Sequence, residues 1–194
     1  MKSDVCKLTQ DAESLNVVLT ETEKASEYVG LDQKQASRMR LLAEELVGML
    51  PELLSFSQGE FWVETNGKAF ELHASLIPEE PLTAYKRDQL LEVSTTGKNE
   101  AAKGIMNKIR LAAQFMMLDY NHIAEYMIQP MEFYRYGMTS SPSMWSLSAY
   151  SNKAKSEKGE PWDELERSII ANIADDVLVG LQGKRVDIIV KKAF

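Results

Sequence analysis

Residues 60–76 read EFWVETNGKAFELHASL, and their period of two decides the fold. Phe61 and Val63 alternate with Trp62 and Glu64, and Phe70, Leu72, Ala74 and Leu76 resume the alternation beyond a turn. Successive strand side chains face opposite sides of a sheet, so the pattern predicts two strands sharing one apolar and one polar face. Asn66-Gly67 between them is a strong hairpin signal, because a type I′ turn needs positive φ at both central residues.

Upstream the period becomes helical. Asp32 and Gln35 make a capping-box pattern, and Met39, Leu42, Leu46, Met49, Leu50 and Leu53 form the apolar stripe that follows. Pro51 lacks an amide hydrogen and should kink or end that helix. Leu15, Val18, Leu19, Thr22, Ala25 and Val29 mark an earlier helix, with Gly30 where a left-handed C-cap residue belongs. Val5 to Thr9 alternates briefly and reads as a short first strand.

The end of the chain repeats this design. Trp162 to Ala174 reads as an amphipathic helix, and Val177, Val179 and Leu181, then Val186, Ile188 and Val190, flank Gln182-Gly183-Lys184 as a closing hairpin. Helix, hairpin, long middle, helix, hairpin predicts an α+β two-layer sandwich: a mostly antiparallel mixed sheet covered on one face by helices. Residues 1–81 and 160–194 are then two halves of one domain, with 82–159 as a large helical insertion or lid.

Composition narrows the partners. A chain of 194 residues with 44% hydrophobic content can bury one sizeable core. The net charge of −7 repels polyanions on average, which excludes nucleic acid and anionic membrane as expected partners. No uninterrupted apolar run reaches the roughly 18 residues of a spanning helix, and MKSDVCKLTQ has no apolar run of the signal-peptide kind. A cytoplasmic protein is expected. Cys6 is the one cysteine, which excludes an internal disulfide, and it reads as a packed residue before a nucleophile.

Seven of the ten methionines fall between Met106 and Met144, among Tyr120, Tyr126, Phe133, Tyr134, Tyr136 and Trp145. Such a mixture suits a loosely specified core or a surface that repacks around a partner, so Tyr120 to Tyr150 is the candidate protein-binding surface. Trp62 and Trp162 read as anchors between layers and Trp145 as a contact residue. His73 and His122 have no carboxylate or second histidine at ligand spacing. A zinc site or catalytic triad therefore has little support, and both read as structural histidines.

Residues 7–54, KLTQDAESLNVVLTETEKASEYVGLDQKQASRMRLLAEELVGMLPELL, followed by EFWVETNGKAFELHASLIPEEPL, resemble the N-terminal half of small bacterial GHKL ATPases of the anti-sigma-factor serine-kinase type. ERSIIANIADDVLVGLQGKRVDIIVKKAF resembles that family's last helix and closing strands, while Lys86 to Lys158 is unmatched. The resemblance implies a Glu on the long helix that works on a water or hydroxyl, matched by Glu45, and a magnesium-holding Asn four residues later, where Met49 stands. It implies an Asp-x-Gly after the hairpin that reads adenine, and Ala74 to Glu80 contains neither residue. It also implies a glycine-rich phosphate cradle, replaced here by Gly159-Glu160-Pro161-Trp162.

With those motifs eroded, a catalytic role for Glu45 and a magnesium site are both disfavoured, and ATP or ADP is the candidate ligand. Thr95, Thr96, Gly97 and Lys98 precede a helix. They combine hydroxyls, a permissive glycine and an ammonium, which makes an anion site or simply an exposed loop and N-cap. Glu45, Gly48, Thr96, Gly97 and Lys98 are thus the candidate nucleotide residues, and Glu44 reads as a solvated helix charge. Two roles fit: a regulatory module with a decayed ATPase site, or an interaction module with no nucleotide.

Overall fold

The computed structural model describes residues 1–9, 12–53, 55–79, 144–149, 151–152, 169–182 and 185–194. Helix α1 spans Ala12–Val29 and ends as its sequence requires. Gly30 has φ of +73°. Its amide donates to Glu27 O (3.0 Å) and the Leu31 amide to Ser26 O (3.0 Å), the paired bonds of a Schellman cap. Helix α2 spans Gln33–Leu53 and opens on a reciprocal capping box, with the Gln35 amide donating to Asp32 Oδ1 (2.8 Å) and the Asp32 amide to Gln35 Oε1 (3.1 Å). It ends two residues beyond Pro51.

Strand β1 is Cys6–Leu8, β2 is Phe56–Asn66 and β3 is Ala69–Pro78. Strand β4 is Met144–Ser146, helix α3 is Ile169–Ile173, β5 is Asp176–Gln182 and β6 is Arg185–Ala193. The strands form one six-stranded sheet in the order β1-β2-β3-β6-β5-β4, and all five of these pairings are antiparallel. The two hairpins therefore lie side by side, with β3 joined to β6 from Ala69↔Ala193 to Leu76↔Val186. Strand β4 comes from within the stretch read as the insertion and closes the far edge against β5.

One hairpin expectation is corrected. Asn66 pairs with Ala69, so the central turn residues are Gly67-Lys68 instead of Asn66-Gly67. Gly67, with φ of +58°, occupies the first central position, where type II′ turns place glycine. The correction moves every β3 partner by two residues and leaves the face assignments unchanged, because the side-chain period is two.

One face of the sheet carries the core. Leu8, Phe61, Val63, Phe70, Leu72, Leu76, Val177, Val179, Val186, Ile188 and Val190 pack with Val18, Ala25, Met39, Leu42, Leu46, Met49 and Leu50 from the helices. Helix α1 lies over β1 and β2, while α2 contacts α1, α3 and β6. Fully burying a side chain such as Phe61 or Leu72 contributes about 1.5–3 kcal/mol. Trp145 is corrected from contact residue to core residue, at 0% exposure opposite Val179. Trp62 is also reassigned: between the core-facing Phe61 and Val63, it points to the face away from the helices.

Cys6 is buried in this core, and burial pushes its thiol above the ordinary range, in keeping with an inert packed residue. Gly59 also faces the core. A Cβ there would lie 2.8 Å from Leu8 Cβ and 2.9 Å from Leu76 Cδ2. Gly59→Ala should therefore destabilise the protein by about 1–3 kcal/mol in urea unfolding, and a variant as stable as the parent would contradict this packing.

Candidate functional site

Glu45 sits half-buried at the edge of the α2 stripe, with Glu44 exposed beside it and Gly48 exposed one turn on. Among the described residues nothing lies within 4 Å of the position a Cβ would take at Gly48. Met49 points the other way, 4% exposed within the core cluster. Thr96, Gly97 and Lys98 lie outside the described residues, so of the expected nucleotide constellation only Glu45 and Gly48 are placed. Of the candidate partner surface, Tyr120 to Tyr150, the described part is residues 144–149. His122, Trp162 and the replaced phosphate cradle at 159–162 also lie outside.

At the position where the resemblance implies a magnesium ligand, the described residue does not fit the ion. The ion demands near-octahedral oxygen coordination at about 2.0–2.1 Å, and Met49 supplies a thioether turned into hydrocarbon.

Among the described residues, the sheet face opposite the helices carries a row of paired charges and a stacked Trp–His pair. One row of cross-strand neighbours runs Lys2, Glu64, Glu71, Lys191, Asp176, giving the sign order plus, minus, minus, plus, minus. Lys2 Nζ lies 3.4 Å from Glu64 Oε1, and Lys191 Nζ lies 3.0 Å from Glu71 Oε1. The two central carboxylates face each other directly across β2 and β3, an arrangement that is unfavourable without cations beside it.

The next row sets Trp62 opposite His73. Their rings stack at 4.8 Å with an interplanar angle of 6°. Lys2 Nζ lies 4.4 Å from the indole centroid, and Trp62 Nε1 donates to Glu64 Oε1 at 2.8 Å. This hydrogen bond leads the effects that hold the Glu64 carboxyl below the usual carboxylate range. His73 Nε2 is desolvated and lies 3.3 Å from Glu71 Oε2, but out of line for a hydrogen bond. Leaving a buried polar group unpaired costs about 1–3 kcal/mol. Burial holds the His73 imidazole below the ordinary histidine range, outweighing the upward pull of Glu64 and Glu71.

This grouping corrects the sequence reading of His73 as isolated from carboxylates. One ligating atom each from Glu64, Glu71 and His73 lies within 4.8 Å of the others. Strand alternation already places Glu71 and His73 on one face. The expected turn, however, set Glu71 opposite Trp62 and Glu64 opposite Ala69, and only the observed register brings Glu64 across from Glu71.

Two other polar features are accounted for within the fold. Asp176 accepts from Ser146 Oγ (3.1 Å), from the Ser148 amide (2.9 Å) and from the Val177 amide (2.9 Å), tying β5 to the start of the helical residues 147–149. A cleft of about 290 Å³ at the end of the sheet is lined by Lys7, Thr9, Gln58, Glu60, Ser75 and Arg185, among others. Arg185 donates there to Glu60 Oε2 at 2.7 Å. None of the described residues lining the cleft belongs to α2.

Comparison with family models, with curated proteins and with solved structures gives no match to this chain. Among the described residues, no helix is long and apolar enough to cross a membrane.

The depressed His73 value fixes the sign of a pH effect. Just below pH 6.5, the unfolded chain binds a proton that folded His73, facing Glu64, Glu71 and Lys2, does not. Stability should therefore fall as pH drops from 6.5 towards the folded value, by up to about 1.4 kcal/mol per pH unit, and then level off. Protonation of Glu64 adds a separate decline below pH 4.5. Urea unfolding of His73→Gln should lose the upper decline, and an identical pH profile in the variant would contradict the assignment.

Proposed function

We propose that this chain is a cytoplasmic regulatory protein on a GHKL ATPase-like scaffold that has given up catalysis and acts by binding. The observation that carries the reading is Met49. It stands where the resemblance calls for the magnesium-holding Asn, and its side chain belongs to the core. Glu45 alone then lacks the metal that would align a triphosphate for attack, since phosphoryl transfer depends on positioning and charge neutralisation by such an ion.

The architecture supports the scaffold half of the proposal. Two helices precede a hairpin, and a closing helix and hairpin return to the same sheet, in the layout that the resemblance implies. ATP or ADP remains the ligand class for the exposed side of α2 beside Glu45 and Gly48, with Thr96, Gly97 and Lys98 as proposed phosphate contacts. The partner class is a protein, with Tyr120 to Tyr150 as the proposed surface and Trp145 assigned to packing.

Thermal unfolding with ATP or ADP, with and without magnesium, tests this reading. A nucleotide at 100 times its dissociation constant stabilises a folded protein by about 2.7 kcal/mol, an easily measured shift. The midpoint with nucleotide should be the same with and without magnesium, and no phosphate should be released from ATP. A magnesium-dependent stabilisation, or hydrolysis abolished by Glu45→Gln, would overturn the proposal.

A further inference from the structure

We propose that Glu64, Glu71 and His73 form a binding site for a divalent transition metal of the zinc class on the sheet face away from the helices, with Lys2 and Lys191 as the cations that the metal displaces. Three ligating atoms already lie within 4.8 Å of one another. Tetrahedral zinc, with bonds of about 2.0–2.2 Å, needs neighbouring ligands roughly 3.4 Å apart. Rotation of Glu71, whose side chain is 38% exposed, closes most of that gap, while the histidine is 13% exposed and held in place. Two ligands are thus oriented by Trp62 and the third adapts to them.

The independent observation is the imidazole itself. His73 Nε2 is buried without a hydrogen-bond partner, 3.3 Å from Glu71 Oε2, and with the ring proton on Nδ1 its lone pair is available to a metal. The ring is held by its stack on Trp62, and the same indole fixes one oxygen of Glu64 through Nε1, leaving the other oxygen of that carboxylate for a metal. A ligand set in which neighbouring groups orient both a histidine and a carboxylate is typical of functional metal centres. The neutral imidazole is the ligating form, and a nitrogen ligand beside two carboxylates favours zinc-like ions over magnesium or calcium, which prefer oxygen throughout.

Charge supports the exchange. The two glutamates carry two negative charges, now offset by Lys2 and Lys191. One dication entering as two ammonium groups leave for solvent keeps the two glutamate charges offset. Both lysines are accessible for this, with side-chain exposures of 52% and 39%.

Calorimetric titration of chelator-treated protein with zinc alone is the test, followed by cobalt in its place to read the visible d–d bands of a low-coordinate site. The expected result is one zinc per chain. His73→Gln and Glu64→Gln should each weaken binding by roughly tenfold or more, and Lys191→Gln should tighten it, because a competing cation is gone. Circular dichroism of each variant confirms that the sheet persists. Absence of saturable zinc binding, binding indifferent to His73→Gln in a folded variant, or weaker binding in Lys191→Gln would each overturn the proposal.

Discussion

The β3–β6 pairing is the constraint on which the structure depends. It joins hairpins from the two ends of the chain, from Ala69↔Ala193 to Leu76↔Val186, and so turns two marginal ribbons into one sheet with a common apolar face. Its register cannot drift. A slip of one residue would turn Val186, Ile188 and Val190 out of the core and bring Asp187 and Lys191 in. Helix α2 adds to the same lock by contacting α1, α3 and β6 together.

The same register arranges the other face. Once Leu72 and Val190 are opposite each other beneath the helices, Glu71 and Lys191 must be neighbours on the open side, with Glu64 on the far flank of Glu71. Core packing thus dictates which charges meet, and the polar row of Lys2, Glu64, Glu71 and Lys191 follows from the hydrophobic pairing. The sheet thus lies between the two proposed surfaces: the exposed side of α2 that bears Glu45 and Gly48, and the Trp62–His73 face across the sheet from it.

The fold was legible wherever a local rule acts on adjacent residues. The capping box at Asp32 and Gln35, the C-cap at Gly30, the alternation of both hairpins and the α+β layering all follow from short-range periodicity and turn chemistry. The helix past Pro51 needed only the last turn to tolerate a missing amide hydrogen. What was not legible depended on register or on distant partners. Placing the first turn two residues off in pairing concealed the Glu64–Glu71–His73 cluster, although the faces were assigned correctly. Trp145, read from a methionine- and aromatic-rich stretch, packs instead against the main sheet because three residues there form β4. Of the expected nucleotide residues, Glu45 and Gly48 sit on the exposed side of α2, whereas the apolar stripe itself carries Met49 away from any metal.

Solution NMR of the full chain tests the union of the two hairpins most directly. Cross-strand nuclear Overhauser contacts should connect Leu72 with Val190 and Ala74 with Ile188, since each pair is directly opposite in β3 and β6. Contacts within each hairpin but none between β3 and β6 would contradict the account, because the ends would then belong to separate sheets.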